Sequence, residues 1–233
     1  MMRFFAVATA AALALIAALS LVAYADRAPA TGPHEMRVLK TAQEMSDSGD
    51  WVVPRYLGVQ RLQKPPLPYW FAAHAMQSDA SPRSRMAATR LRVTLLGILT
   101  LGATFAIAST VLRRGDAVLA VLVCASAWVF HFEFRRVTTD PFLAAATTTA
   151  IAAFAWSGRF DRSVPRLLLR LIAWIFVGLA LLSKGPIAFL FVVPFSWALG
   201  RRVDLTARHS SSARRLGDVL GFVLAIAPVL TWL

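Results

Sequence analysis

The sequence predicts an all-α integral membrane protein, a multi-span helical bundle. Two observations carry this prediction: an apolar, weakly charged composition and a series of long uninterrupted apolar runs. Of the 233 residues, 58% are hydrophobic and 16% are charged, whereas a soluble domain carries about a quarter charged residues. The composition is too apolar for a disordered chain, and one cysteine, Cys124, excludes a disulfide scaffold.

Seven apolar runs are candidate membrane spans, because a helix needs roughly 20 apolar residues to cross the hydrocarbon. They cover residues 4–25, 93–112, 117–130, 141–156, 167–183, 186–199 and 219–233. We therefore assign residues 1–25 to a first span, 26–92 to a long loop and 93–233 to a bundle of about six further spans. A signal peptide is the alternative for the first run, although its apolar core is usually about 7–15 residues. The last run reaches Leu233 without a polar flank, so we expect a C-terminally truncated chain.

Positive charges in the short loops predict the orientation. Loops 113–116, 158–166 and 200–215 hold ten arginines, whereas loops 131–140 and 183–185 hold three Lys and Arg. The positive-inside rule places the first set, and the N-terminus, in the cytoplasm. Loop 26–92 then lies on the non-cytoplasmic face, and we expect a bacterial inner (plasma) membrane. The net charge of +13 reflects this topology, so nucleic acid is not an expected partner.

Loop 26–92 begins with a predicted amphipathic helix. Pro33 suits its first turn and Gly49 its exit. Its inward face is predicted to carry Met36, Leu39, Ala42 and Met45, while Arg37, Lys40 and Glu44 face outward. Such a helix would lie on the membrane surface. An interfacial anchor without chemistry is the alternative interpretation.

The second half of the loop is predicted to be rigid. Residues 51–55 form an extended stretch, and Lys64 precedes a proline-rich run that ends in Tyr69 and Trp70. Because proline fixes the backbone, the Lys64 ammonium is held at a defined place, where it could bind a lipid phosphate. Tyr69 and Trp70 suit the headgroup level and are candidate lipid or acceptor contacts. A solvated linker with a snorkelling lysine remains the alternative.

Several stretches resemble one enzyme family. The loop contains GPHEMR at 32–37, AQEMSDSGDWVVPR at 42–55 and QKPPLPYW at 63–70; later come RRVTTDP at 135–141 and GLALLSKGP at 178–186. In order and spacing these resemble the family-39 group of GT-C membrane glycosyltransferases. That group includes protein O-mannosyltransferases and the aminoarabinose transferases that modify lipid A. The resemblance covers nearly the whole chain and implies the N-terminal half of a GT-C-type bundle with outer juxtamembrane helices.

The resemblance also implies an activity. Such enzymes move a sugar from a polyprenyl-phosphate donor to a lipid or protein acceptor on the outer face and release the lipid phosphate. The polyprenyl-phosphate-linked sugar is then the expected donor substrate, membrane lipids and the acceptor are the other expected partners, and no cofactor is assigned. Metal dependence is left open. No ligand spacing joins His74 and His131, so we expect them to be interfacial or packed residues rather than metal ligands.

The family pattern suggests roles for individual residues. Its first-loop motif is an Asp-Glu pair with the aspartate as base, whereas this sequence has His34-Glu35. Glu35 or His34 is therefore the candidate base, and an imidazole in water, which titrates at about pH 6.5, suits that task. The alternative for Glu35 is an interaction with the helix dipole.

The remaining candidates lie in the later loops and beside the base. Asp140 is a further catalytic candidate, with an N-cap of the fourth span as its alternative or additional role. Lys64, Arg37 and Lys184 are the candidate phosphate ligands, and Lys184 could instead only close a short loop. Arg170 lies in the fifth run and is expected to snorkel.

Two other interpretations of the whole chain compete with the enzyme. One is a transporter or lipid-binding module without chemistry, and the other is an inactive fragment of a transferase. A transporter should place polar or broken segments near the bilayer midplane, whereas the runs here have apolar centres. The sequence therefore favours an enzyme acting at the outer surface.

Overall fold

The computed structural model describes residues 32–77, 81–160, 163–204 and 211–232. Its elements are, in order, α1 (Pro33–Ser48), β1 (Arg55–Tyr56), β2 (Val59–Gln60), α2 (Leu67–Met76), α3 (Pro82–Val111), α4 (Arg114–Ser126), α5 (Trp128–Glu133), α6 (Asp140–Ser157), α7 (Ser163–Lys184), α8 (Ile187–Asp204) and α9 (Ser211–Trp232). The two strands pair as a short antiparallel hairpin. The all-α prediction is confirmed; the first predicted span, residues 4–25, lies outside the described residues.

Three described helices are long and apolar enough to cross a membrane. They are residues 83–111 within α3, Ser163–Lys184 and Arg215–Trp232. Ile187–Leu199 is a shorter apolar helix. Helix α6 is apolar for most of its length but begins with Asp140 and contains three threonines. The number of spans stays a prediction.

Helix α3 is longer than its apolar run. The run begins at Val93, but the helix begins at Pro82, with the Ser81 hydroxyl accepting the Ser84 N–H. The last eleven residues of the predicted loop therefore form the first turns of this helix. They carry Arg90 inward, which is decisive for the site described below.

The third predicted span, residues 117–130, is broken near its end. The helix stops at Ser126 and resumes at Trp128, because Ala127 is extended (ψ 127°). The Ala125 carbonyl next to the break lies 2.6 Å from Nε2 of His131. This imidazole thus satisfies a backbone group that the break leaves without a helical partner, consistent with the prediction that His131 is packed.

Helix α1 has the predicted bounds, and Leu39, Ala42 and Met45 of its predicted inward face are buried. Gly49 has a left-handed backbone (φ 70°) and its N–H donates to the Met45 carbonyl at 3.1 Å, a normal helix end. The prediction for Met36 was wrong, since it is 50% exposed, whereas Glu35 is completely buried. The buried face of the helix therefore includes a carboxylate, which needs a buried cation to compensate its charge.

The two helices of the loop pack onto the ends of the long helices. Leu39 and Met45 of α1 and Tyr69 of α2 share one core cluster with Val93 of α3 and Phe142 of α6. A second cluster joins α6, α7, α8 and α9, and a third joins α3, α4 and α5. The first cluster fixes the loop over one end of the bundle, and this is where the cleft opens.

Helices α7 and α9 pack closely because α9 presents glycines to α7. A Cβ at Gly221 would lie only 2.3 Å from Cδ1 of Trp174, so only glycine permits this approach. That Arg170 snorkels stays a prediction. Its Nε donates to Oδ1 of Asp218 on α9 at 2.8 Å, and Trp174 Nε1 donates to the same oxygen at 3.0 Å.

Candidate functional site

A cleft of about 170 Å³ opens where the loop meets the ends of α6 and α7. Its walls come from α1, the segment after the hairpin, α2, the segment around the end of α5, the start of α6 and the end of α7. The lining residues are His34, Val38, Arg61, Lys64, Tyr69, Glu133, Arg136, Thr138, Thr139, Asp140 and Lys184. Five of the residues predicted from sequence therefore meet in one place: His34, Lys64, Tyr69, Asp140 and Lys184.

The cleft is positively charged. Four cationic side chains line it, against two acidic ones, Glu133 and Asp140. With a neutral imidazole at His34 the lining carries a net charge of +2. Guanidinium and ammonium groups form strong charge-assisted hydrogen bonds with phosphate oxygens. The arrangement therefore suits a phosphate-bearing ligand.

Lys64 is the cation with its charge most available. It is half-buried, and among the described residues its Nζ has no hydrogen-bond or ion-pair partner. Proline at 65 and 66 follows it, and Pro66 is the N-cap of α2. The rigidity of the proline-rich run stays a prediction, and from Leu67 onward the run is helical. The two prolines restrict the backbone that joins Lys64 to the first turn of α2.

Arg61 and Tyr69 form one wall. Nε of Arg61 donates to the Tyr69 hydroxyl at 3.2 Å, and the Tyr69 side chain is buried. Burial raises the pKa of the Tyr69 phenol above its usual value of 10.0, and the hydrogen bond from Arg61 partly opposes that effect. Tyr69 is therefore a neutral phenol at physiological pH.

Asp140 and Lys184 form an ion pair across the cleft. Nζ of Lys184 donates to Oδ1 of Asp140, which joins the first residue of α6 to the last residue of α7. The interpretation of Asp140 as an N-cap is wrong, since Thr139 is the N-cap and no side chain caps this helix. Gly185 follows with a left-handed backbone (φ 76°) and ends α7.

Glu133, Arg136 and Thr138 form a further part of the cleft lining. Thr138 Oγ1 donates to Glu133 Oε2 at 3.1 Å, and Glu133 Oε1 lies 4.0 Å from Nη1 of Arg136. The Arg136 guanidinium also stacks 4.5 Å above the Phe132 ring. Arg136 is thus held in place by two neighbours of its own segment.

Glu35 does not line the cleft. Its carboxylate is fully buried and accepts hydrogen bonds from Arg90 Nε and Nη2, both at 3.0 Å, and from the Val137 N–H at 3.0 Å. Such a carboxylate is poorly placed to take a proton from a ligand. Of the His34-Glu35 pair, only His34 reaches the cleft.

Two other predicted residues lie away from the lining. Arg37 is exposed on α1, and the Trp70 indole donates to the Trp51 carbonyl at 2.6 Å. Sequence reasoning missed Arg61, Glu133 and Arg136 as lining residues. Arg136 could have been identified from its place in the 135–141 motif. Arg61 could have been identified from its position three residues before Lys64.

A short capped turn supports the loop beyond the cleft. Oδ1 of Asp50 accepts the N–H groups of Val52 and Val53 at 3.1 and 3.0 Å. These hydrogen bonds lower the pKa of Asp50 below its usual 3.8. Residues 52–53 therefore bend, rather than extending as predicted. Across the part of the chain that the structure describes, no group of three His, Cys, Asp or Glu side chains could hold a metal ion.

Solved structures share this architecture. The structure of ArnT from Cupriavidus metallidurans in the apo state matches 100% of this chain and 42% of its own, with a TM-score of 0.74 and 25% identity. The structure of the same protein bound to undecaprenyl phosphate matches 97% and 40%, with a TM-score of 0.71. The GT-C-type fold expected from the sequence is thereby confirmed.

Curated relatives agree with the structural match. An undecaprenyl phosphate-alpha-4-amino-4-deoxy-L-arabinose arabinosyl transferase from Pseudomonas savastanoi pv. phaseolicola is 28% identical over 227 residues, covering 86% of this chain. A transferase of the same name, numbered 1, from Sodalis glossinidius is 29% identical over 163 residues, covering 70%. The chain spans only 36% and 28% of these relatives.

The profile of one protein family matches most of the chain. It is described as dolichyl-phosphate-mannose-protein mannosyltransferase and aligns with residues 30–229, from just before α1 almost to the end of α9. The match contains every residue of the cleft. This integral membrane chain belongs to the dolichyl-phosphate-mannose-protein mannosyltransferase family of GT-C glycosyltransferases.

Proposed function

We propose that this chain forms the donor-phosphate site and the reacting centre of a membrane glycosyltransferase. The enzyme moves a sugar from a polyprenyl-phosphate carrier to a lipid or protein acceptor on the non-cytoplasmic face. The observation that carries the proposal is the cationic cleft in which Lys64 has no partner among the described residues. The relatives that are named as undecaprenyl-phosphate aminoarabinose transferases, and the related structure bound to undecaprenyl phosphate, support it.

The cations would bind the phosphate and stabilise the leaving group. Transfer breaks the bond between the sugar C1 and the phosphate oxygen, and the departing polyprenyl phosphate gains negative charge. Cations fixed before the reaction stabilise that charge without reorganising. We assign Lys64, Arg61 and Arg136 to this task, with Lys184 oriented by Asp140. Arg37 would act only if the donor reached beyond the cleft.

A base must take the proton of the acceptor as its oxygen attacks C1. His34 is the best-placed candidate, because Glu35 is engaged by Arg90 and Asp140 by Lys184. The imidazole lines the cleft and accepts a proton at a ring nitrogen. We therefore assign His34 as the base and Asp140 as the residue that orients Lys184. Tyr69 contacts the ligand from the wall of the cleft, and contact of Trp70 with lipid stays a prediction.

The predicted topology agrees with one shared site. Lys64, Asp140 and Lys184 come from three loops that charge counting places on the non-cytoplasmic side, and all three line the cleft. A cytoplasmic N-terminus and an outer active site follow if the charge rule holds. Tagging of residue 64 and of the loop around 114 would check the orientation: they should be accessible from opposite sides.

Donor-phosphate binding tests the proposal. Wild-type protein in nanodiscs is titrated with undecaprenyl phosphate, alongside Lys64→Ala and a control, Lys40→Ala. Lys40 is exposed on α1 and pairs with Glu44 at 3.8 Å, away from the cleft. Loss of a charged hydrogen bond costs about 1.5–3 kcal/mol, so Lys64→Ala should weaken binding by roughly 10- to 150-fold. The control should change it less than about twofold; equal affinities for both variants would refute the site.

Sugar transfer separates an enzyme from a binding module. With a polyprenyl-phosphate sugar as donor, His34→Gln should lower the transfer rate by about 10²–10⁴-fold, the usual contribution of a general base. Its affinity for undecaprenyl phosphate should stay close to that of the wild type. Tight binding without any transfer by the wild type would instead favour a lipid-binding module, or a chain that lacks part of the catalytic machinery.

A further inference from the structure

A buried ion pair lies directly behind the cleft. The Glu35 carboxylate is 0% exposed and the Arg90 side chain 3% exposed. Two parallel hydrogen bonds join them, each 3.0 Å long, from Nε and Nη2 of Arg90 to the two carboxylate oxygens. Oε1 of Glu35, which accepts the hydrogen bond from Arg90 Nε, also accepts the backbone N–H of Val137 at 3.0 Å. We call these three residues the clasp.

The clasp joins three parts of the chain that are distant in sequence. Glu35 belongs to the first turn of α1, Arg90 to α3, and Val137 to the segment between α5 and α6. One turn further along α3, Thr94 Oγ1 donates to the Phe134 carbonyl at 3.3 Å. Helix α3 therefore binds the segment before α6 directly at Phe134 and binds α1 through Arg90, while Glu35 of α1 binds the same segment at Val137.

Stability alone does not explain such a pair. Replacing a buried ion pair with apolar residues of similar volume is often neutral or stabilising, because removing both charges from water is costly. What a bidentate arginine–carboxylate pair adds is geometry, since its planar fork fixes both distance and orientation. The clasp is thus suited to setting a position.

The residues next to the clasp in sequence line the cleft. His34 precedes Glu35, and Thr138, Thr139 and Asp140 follow Val137. The clasp residues face the interior while their neighbours face the ligand. We infer that Glu35 and Arg90 are positioning residues, which fix His34 relative to residues 138–140 of the cleft lining. Their effect on catalysis rests on the proposed function, whereas their effect on geometry does not.

Kinetics test the catalytic part. Arg90→Lys keeps the charge but loses the bidentate fork, and Glu35→Gln keeps an acceptor for the Val137 N–H but loses the charge. A misplacement of about 1 Å can lower a rate by about 100-fold, so both variants should lower kcat by that order. The Kd for undecaprenyl phosphate should stay within about threefold. Arg83→Lys, an exposed position on the same helix, is the control and should change neither.

A purely structural role would give a different result. Rates are normalised to the folded fraction, determined by thermal unfolding of each variant in the same nanodiscs. If kcat per folded molecule matched the wild type, or if kcat and donor binding fell in the same proportion, the positioning role would be refuted. Glu35→Gln keeps the test decisive if Arg90→Lys does not fold.

A spectroscopic measurement tests the geometry without any reaction. Spin labels at His34→Cys and Thr138→Cys, in a Cys124→Ser background, report the distance across the cleft. Arg90→Lys should broaden or shift the distance distribution, and Arg83→Lys should leave it unchanged. An unaltered distribution in Arg90→Lys would overturn the inference. If the wild type transferred no sugar, the proposed function would fail, while this measurement would still decide whether the clasp sets the distance.

Discussion

Helix α1 begins and ends with a glycine of positive φ, and the two glycines should respond differently to alanine. Gly32 has φ 85° and ψ 164°, a region that is essentially restricted to glycine. A Cβ there would lie 3.0 Å from Nη2 of Arg136. Gly49 has φ 70° and ψ 4°, and a Cβ there would meet nothing within 4 Å. The pair therefore separates backbone strain alone from strain combined with a contact at the cleft.

The energies of the two substitutions overlap, so stability is not what distinguishes them. A non-glycine residue in a sparsely populated backbone region costs about 1–3 kcal/mol, and in the left-handed helical region about 1–2 kcal/mol. Alanine also stiffens the unfolded chain, which offsets about 0.4–1 kcal/mol of either cost. We expect both variants to be less stable than the wild type, by up to about 2 kcal/mol.

Function should distinguish them. Strain at Gly32 is relieved by moving the first turn of α1, which carries His34, or by moving the Arg136 guanidinium away from the cleft. Loss of one charged contact to the phosphate, worth about 1.5 kcal/mol at the low end, should weaken undecaprenyl phosphate binding about tenfold. Displacement of His34 should lower the transfer rate by up to about 100-fold. Gly49→Ala should leave both quantities near the wild-type values.

The assay is a matched comparison in nanodiscs. Thermal unfolding, undecaprenyl phosphate affinity and transfer rate are measured for the wild type, Gly32→Ala and Gly49→Ala. If Gly32→Ala and Gly49→Ala lost binding and transfer to the same extent, the coupling between the start of α1 and the cleft would be contradicted. The same conclusion would follow if Gly32→Ala bound and reacted like the wild type.

Two further predictions concern groups with defined partners. Asp218→Ala should lower the free energy of unfolding by about 1–3 kcal/mol, between the values for an exposed and a buried ion pair, because Arg170 loses its carboxylate partner. A double variant, Arg170→Met with Asp218→Leu, should recover much of this loss in thermal unfolding. A further loss of stability in the double variant would contradict the reasoning. The raised pKa of Tyr69 means that its stabilising contribution is present below pH 10 and lost as the pH rises through the folded-state value. The tyrosinate absorbance of the wild type minus that of Tyr69→Phe should appear only above pH 10, and a midpoint at or below 10 would contradict the burial argument.

Helix α1 shows how far periodicity can carry a prediction. Pro33 and Gly49 set its bounds correctly, because proline and a left-handed glycine act through local backbone geometry. The prediction placed Met36 inward, as hydropathy favours, but the structure exposes it and buries Glu35. The compensating charge, Arg90, lies 55 residues away, and no local pattern contains that information.

The cleft likewise combines residues that could be predicted from the sequence with contacts that depend on packing. Lys64, Asp140 and Lys184 were predicted one by one from loop chemistry and the family resemblance, and charge counting placed them on one side. That Asp140 pairs with Lys184, while Lys64 has no partner among the described residues, depends on how α6 and α7 end beside each other. Arg61 became a wall residue only because the hairpin turns it towards Tyr69.

The sequence by itself determined the membrane class, most of the helices and the family, since these follow from composition, from apolar run length and from motifs that are continuous along the chain. Tertiary structure alone decided that Glu35 is a buried partner of Arg90, that Arg170 pairs with Asp218, and that the helix between residues 114 and 133 is interrupted. Each of these depends on compensating a buried polar or charged group, and the compensating group is chosen by packing in space.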